Sequence, residues 1–242
     1  MTTADRWTQT VRDQVGLGRL VPLGEAPDGA WIAERAAATV LRRAAGEMRG
    51  VRLDALRIAL TDPEEAQEPA VPPPPSALPP GPLRVTADFA TTAIEPLPTT
   101  ADLLRTLLTR AAAERLGLRV TEVDLRVTAL LDEDVEPAPV RPSEAAPAAE
   151  PGDPDEERVA AAARAVPGVT VLTGALGGVG HAVHIERRQS EGTPALPHRH
   201  VRVEIAVDAD HRALDVAREV RERVRTALTD RPTVAVLVTA VS

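Results

Sequence analysis

Two stretches of this chain, 118 residues apart, alternate apolar and polar residues over the length of one strand: LRVTADF at 83–89 and VRVEIAV at 201–207. A period of two is the pattern of a half-buried strand. The same spacing relates Gly50, in RGV at 49–51, to Gly168, in PGV at 167–169. Each glycine follows an alanine-rich, helix-prone run, ERAAATVLRRAAGEM or ERVAAAARAV. After each strand come an amphipathic stretch and a closing strand, LRVTAL at 125–130 and VLVTAV at 236–241. The first copy is seven residues longer here, with 42 residues from Val85 to Val127 against 35 from Val203 to Val238. A diverged internal duplication constrains the fold more than any single motif, because both copies must share one topology.

Each copy reads helix, strand, strand, helix, strand. In the second, Leu214, Ala217, Val220, Val224 and Leu228 recur at three- and four-residue steps, one apolar stripe meant to lie on a sheet. In the first, Leu104, Leu107, Leu108 and Ala111 do the same, and Gly117 stands where a helix stops. The expected fold is α/β (α+β), with two tandem two-layer α/β sandwiches built on small, largely antiparallel sheets. Residues 1–24 form an N-terminal lead-in with a possible strand, RLVPLG, and residues 25–131 form the first unit. A proline-rich insert occupies 63–82, an acidic proline- and alanine-rich linker 132–156, and the second unit 157–242. Both proline-rich stretches are expected to resist folding and to act as stiff spacers.

Composition narrows the function classes. The chain has 242 residues and a net charge of −8, which argues against a nucleic-acid surface. It has no cysteine, and so no disulfide, thiol nucleophile or thiolate metal site. Every basic side chain other than histidine is arginine, and lysine, asparagine and tyrosine are absent; codon bias in a GC-rich genome accounts for all of these together. The start has no basic-then-apolar signal pattern, and the longest apolar run, around VAVLV, is far short of a membrane span. The expectation is a cytoplasmic protein that reaches a membrane only through a partner.

Residues 171–183, VLTGALGGVGHAV, carry the best argument for an enzyme. Thr173, Gly174, Gly178 and Gly180 fit the glycine spacing of a dinucleotide loop, and Asp208 stands where a ribose-binding acid would. The helix that should follow is missing: Val183 and Ile185 alternate like a strand, and SEGTPALPH then breaks the chain. The tyrosine and lysine of a short-chain reductase occur nowhere. The glycines are therefore expected to serve a turn between strands.

Four histidines form a second candidate cluster, His181, His184, His198 and His200. A hairpin turning at Gly192 and Thr193 would set His184 opposite about Val203 and His198 opposite about Gln189. His181 and His184, three apart on a strand, would face opposite sides, so the set does not converge as a metal requires. Ser76, Ser143 and Ser190 fall in predicted loops or linkers, with no histidine placed beside them. From Asp215 to Glu222, acids interleave with Arg218, Arg221, Arg223 and Arg225, which allows Glu219–Arg223 and Arg218–Glu222 pairs. The helix face is then solvated, or docks a partner.

The alanine-rich helix ending in VPGVTVL, followed by VRVEIAVDADHRALDVAREVRERVRTAL and the strand VAVLVTAV, resembles the alkaline shock, or envelope stress response, family. RGVRLDAL, LRVTADF, LLRTLLTRAAAERLG and VTEVDLRVTAL repeat the order more loosely, and the tandem, arginine- and proline-rich form is similar to an actinobacterial branch. The resemblance implies a small α/β domain without catalytic residues, cytoplasmic and held near the membrane by a membrane-anchored partner. No functional residue carries over from it.

The expected function is a non-enzymatic scaffold that binds other proteins, whether a membrane-anchored partner or paralogues. No catalytic, cofactor-binding or metal residue is assigned, and no nucleic acid or cofactor is expected. The alternative is a regulatory module binding a small molecule between the two units, and a nicotinamide-dependent reductase is the third reading.

Overall fold

The computed structural model describes residues 18–132, 147–176, 180–188 and 198–242. The chain opens with a hairpin, β1 (Leu20–Leu23) and β2 (Ala30–Ala33). The first unit follows as α1 (Glu34–Ala45), β3 (Val51–Leu60), β4 (Leu83–Thr92), α2 (Leu97–Ala111) and β5 (Val120–Leu131). The second runs α3 (Pro154–Arg164), β6 (Val169–Leu172), β7 (Val183–Arg188), β8 (His198–Val207), α4 (Ala213–Ala227) and β9 (Thr233–Val241). The α/β class read from the sequence is the class the chain adopts.

In both units the leading strand pairs antiparallel with the middle strand, and the closing strand pairs parallel to it. Parallel closure follows from the connection, since a helical crossover returns the chain to the end where it began. The two sheets are therefore mixed, where a largely antiparallel arrangement was expected.

The correspondence between the units extends to single hydrogen bonds. Gly50 and Gly168 both take positive φ, 67° and 88°, which glycine adopts without strain. Their carbonyls accept the N–H of Thr92 and of Asp208, at 2.9 and 2.8 Å. Pairing of the middle and closing strands shifts register between Phe89 and Ala90 in one unit and between Ile205 and Ala206 in the other. At these bulges Thr128 Oγ1 donates to the Phe89 carbonyl and Thr239 Oγ1 to the Ile205 carbonyl, each at 3.2 Å. This matches Phe89 to Ile205, an offset of 116 rather than 118. A slip of two residues leaves every side chain on its own face, so periodicity does not register it.

The units are not separate beads. Strand β2 pairs parallel with β9, and the larger sheet runs β1-β2-β9-β8-β6, with β7 also on β8. The lead-in and the first residues of unit one thus supply two strands to the sheet of unit two. Asp28, in the hairpin turn, accepts from Arg218 of α4 at 2.8 and 3.1 Å. Arg218 is drawn across the molecule and does not make the expected pair with Glu222, which instead lies 3.9 Å from Arg225. Glu219–Arg223 forms along the helix as expected, at 2.7 Å.

Helix α1 leaves β2 and packs against β9 and β3, strands of different sheets, and against α2. Ala36, Ala37, Ala38, Ala44 and Ala45 are all buried in it, and their small side chains let a helix fit between two layers. Residues Val234 to Val241 of β9 are buried without a break, the mark of a strand covered on both faces. The proline-rich insert is not a free spacer. It lies along the hairpin, with Trp31 Nε1 donating to the Leu78 carbonyl at 3.1 Å and Leu78 N–H donating to the Leu20 carbonyl at 2.9 Å. Val71 of the insert is buried.

Gly117 ends the helix after α2 with φ 88°, as expected of a stop, and its carbonyl accepts the Gly24 N–H at 3.1 Å. A Cβ there would lie 2.4 Å from Leu214 Cβ. Gly117→Ala is predicted to destabilise the fold by about 2 to 4 kcal/mol, from left-handed strain and overpacking together. The midpoint of urea unfolding measures it, and an unchanged midpoint contradicts the role given to this contact.

Candidate functional site

The glycine stretch lies on the edge of the larger sheet. Strand β6 pairs with the end of β8, up to Leu172 opposite Ile205, and β7 resumes at Val183 opposite Val203. Of the chain between them, residues 173–176 and 180–182 are described, and they form an excursion around one residue, Glu204. The backbone of Glu204 is bracketed by it: Thr173 N–H donates to the Glu204 carbonyl at 3.0 Å, and Glu204 N–H donates to the Ala182 carbonyl at 2.9 Å. A strand follows the stretch and no helix does, as its alternation implied. Gly178 lies outside the described residues.

The Glu204 side chain enters this excursion. Its Oε2 accepts from Ala175 N–H at 2.8 Å and from Leu176 N–H at 2.9 Å. Two consecutive amides form a small anion-binding nest, and here the anion is the protein's own carboxylate. A pyrophosphate would have to displace it. Asp208, placed beside a ribose by the dinucleotide reading, instead accepts from Asp210 N–H at 2.8 Å in the turn after β8.

Around Glu204 the sheet register gathers further polar groups. His184 stands opposite Arg202, one residue from the expected Val203, and His198 stands opposite Arg188. The Glu204 carboxylate is fully buried, with His184 Nε2 at 3.7 Å and Arg202 Nε at 3.9 Å from Oε1. These separations exceed a hydrogen bond, so the attraction is electrostatic. Among the described residues, Glu204 Oε1, His184 Nε2, Arg202 Nε and His181 Nδ1 have no hydrogen-bond partner. His200 is held apart by Thr233 Oγ1, 2.9 Å from its Nδ1, and His181 lines a small cavity with Leu172 and Arg164. The register therefore brings together His184, Arg202 and Glu204, and leaves His198 and His200 outside. Sequence reading missed Glu204, which looked like one more polar residue in an alternating strand.

A second feature occupies the C-terminal end of β4, where the chain crosses over to α2. A recess of about 340 Å³ is lined by Met48, Val51, Thr91, Ile94, Thr100 and Leu103, with Arg49 and Glu95 also in its wall. Crevices at the carboxyl ends of strands in crossover units are where such folds take ligands. Ile94 is 74% exposed and Leu103 57%. Leu130, 59% exposed, stands beside Thr91 on the neighbouring strand. The result is an apolar end on unit one with two charged residues in its recess.

Burial raises the Glu204 carboxyl above the ordinary glutamate value of 4.5, while His184, the Leu176 amide and Arg202 pull the other way. A raised carboxyl favours the protonated fold. Its contribution is full below 4.5 and is lost as pH rises from there through the raised value. Relative to Glu204→Gln, the native chain is therefore predicted to lose stability as pH rises above about 4.5 and then to level off. Urea unfolding of both proteins across a pH series tests this, and a pH-independent difference overturns it.

No family model matches the chain, and no curated protein matches it significantly.

Proposed function

We propose that the chain is a non-enzymatic scaffold that binds other proteins. It would work in the cytoplasm, at the inner face of the membrane, through a membrane-anchored partner or paralogues. The observation that carries this reading is the apolar end of unit one, where Ile94 and Leu103 are exposed in the wall of a recess and Leu130 is exposed beside Thr91. Clustered exposed apolar side chains with charged residues near them suit a protein partner. No helix among the described residues is long and apolar enough to cross a membrane, so a membrane role would need such a partner. The resemblance to the alkaline shock, or envelope stress response, family supports the same assignment. The matched glycines, bulges and threonine hydrogen bonds of the two units support their origin by duplication.

Affinity capture from the native cells is predicted to recover a membrane-anchored protein with the wild-type chain, and much less of it with Leu103→Asp or Ile94→Asp. Equal recovery with all three, or none with any, counts against the scaffold.

The recess also favours a second reading, a regulatory module that holds a small molecule. Its volume of about 340 Å³ is that of a small-ligand site, and it lies within unit one rather than between the units. A true ligand raises the melting temperature with its concentration. Thermal-shift screening against metabolites and nucleotides is predicted to give no such dose-dependent rise if the scaffold reading holds, and a saturable rise lost in Thr91→Trp would favour the small-molecule module.

A further inference from the structure

The free edges of the two sheets are treated differently. The outer edge of β1 is met by the insert, with Leu20 bridged to Ala77 and the Leu20 carbonyl taken by Leu78 N–H. The edge of β6 is met by residues 147–149, with Ala148 N–H on the Leu172 carbonyl. The edge of β3 is covered from α1: buried Glu34 accepts from Ile58 N–H at 2.8 Å, and Arg42 donates to the Asp54 carbonyl. Strand β9 closes unit two, and its outer edge is filled by β2. Strand β5 closes unit one in the corresponding place. It is twelve residues long, and among the described residues no strand lies on its outer side.

We propose that β5 is a self-association edge, on which β5 of a second copy of this chain pairs antiparallel about a two-fold axis at Leu125. This deepens the scaffold reading by naming one partner, and it rests on that reading.

The charges on β5 select the register. Glu122, Asp124 and Arg126 share one face of the strand. A two-fold at position 124 sets Asp124 against its own copy, and one at 126 does the same to Arg126. A two-fold at Leu125 sets Asp124 of each protomer opposite Arg126 of the other, twice, with no like charges facing. Opposite charges directly across a pair stabilise it and like charges destabilise it. Within one protomer Asp124 already lies 3.5 Å from Arg84, and Arg126 lies 2.8 Å from Asp88. Pairing at Leu125 therefore makes one row of alternating charge, Arg84, Asp124, Arg126, Asp88, running across both copies.

Backbone direction agrees. The Val123 carbonyl accepts from Arg105 Nε of α2 at 3.2 Å, so it turns toward the free edge. The regular pairing of β5 with β4 runs from Glu122 to Val127 between two register shifts, so alternation turns Leu125 and Val127 outward as well. These are the residues that would exchange hydrogen bonds with a second β5. The Arg105 guanidinium stands where the Val127 N–H of the second copy would arrive, and it swings away on pairing. Val127, 38% exposed, is covered in the pair by Val123 of the other copy.

The chain has no cysteine, so single cysteines report the pairing directly. Leu125→Cys meets its own copy at the axis, at the hydrogen-bonded antiparallel Cα separation of about 5.5 Å, within disulfide range. Mild oxidation is expected to give a covalent dimer with Leu125→Cys and not with Leu130→Cys, which would face Val120. Sedimentation equilibrium of the wild type is expected to show a monomer–dimer equilibrium. Asp124→Arg and Arg126→Asp each place like charges across both pairs, and each alone weakens association by about tenfold or more. Mixed together they restore a one-to-one dimer, since every facing pair is then opposite in charge.

A wild-type chain that stays monomeric up to its solubility limit overturns the proposal. So does a mixture of the two charge variants that associates no better than either alone, or equal cross-linking at 125 and 130. Failure here with intact recovery of a membrane-anchored partner sinks the self-association edge and leaves the scaffold standing.

Discussion

The pairing of β2 with β9 is the constraint on which the rest of the molecule depends. It is short, with Ala30, Trp31 and Ile32 opposite Val236, Leu237 and Val238, but it joins the two ends of the described chain. Because α1 starts directly after β2, the pairing also fixes where α1 begins and draws it between the sheets. Because Trp31 is in β2 and its indole holds the Leu78 carbonyl, the same pairing places the proline-rich insert. The stabilisation comes less from three residues of parallel ladder than from what they bury. Trp31, Ile32, Val21 and Leu41 lie in one continuous apolar cluster with residues of both units. Two units that share a core in this way cannot swing on a linker.

Much of the fold was legible because it is periodic. Strands β4 and β8 alternate, α2 and α4 carry apolar stripes, and Gly50, Gly117 and Gly168 mark chain reversals through their positive φ. What escaped were long-range partnerships, which leave little local trace. Nothing in AWIA says that it pairs with residues two hundred positions later. The available signal was at the other end: VAVLV is apolar at successive positions, as a strand buried on both faces must be, and a two-layer sandwich leaves one face open. Arg218 was misassigned for a related reason. Helix spacing permits its pair with Glu222, but Asp28, held in a tight turn nearby, offers two oxygens to one guanidinium. The proline count of the insert predicted extension correctly and isolation incorrectly, since an extended segment can still line a sheet edge and bury Val71.

The candidate site shows how one position of the shared topology fares differently in the two units. On the structural alignment Glu204 occupies the place of Asp88. In unit one that position faces outward and its carboxylate meets Arg126 of the closing strand at 2.8 and 2.9 Å. In unit two residues 173–176 and 180–182 come between β6 and β7, and the same position is fully buried beneath Ala175 and Leu176. A buried carboxylate must be met by donors, and the amides of Ala175 and Leu176 meet it. Gly174, where a Cβ would lie 2.0 Å from the Gly180 carbonyl oxygen, and Gly180, at φ 75°, therefore permit a backbone that closes around an internal acid. This explains why the stretch resembles a phosphate loop: both bind an anion with successive backbone amides, and the two differ in where the anion comes from. Only the surroundings, a following strand and an acid on the neighbouring strand, separate one from the other.

Two units of like topology have two closing strands. Each copy closes with a strand whose outer side carries unpaired backbone groups, and such edges invite pairing unless they are covered or blunted. Among the described residues there is one N-terminal hairpin, and it is committed to β9. Among the described residues no strand covers β5, whose Val123 carbonyl is met by Arg105 Nε, and its charges must either repel every strand or select one. Two acids followed by an arginine at two-residue spacing do the second, since only an antiparallel copy in a single register satisfies them. The asymmetry between the two units, one closing strand paired on both sides and one paired on a single side, is on the proposed pairing what would let the chain assemble.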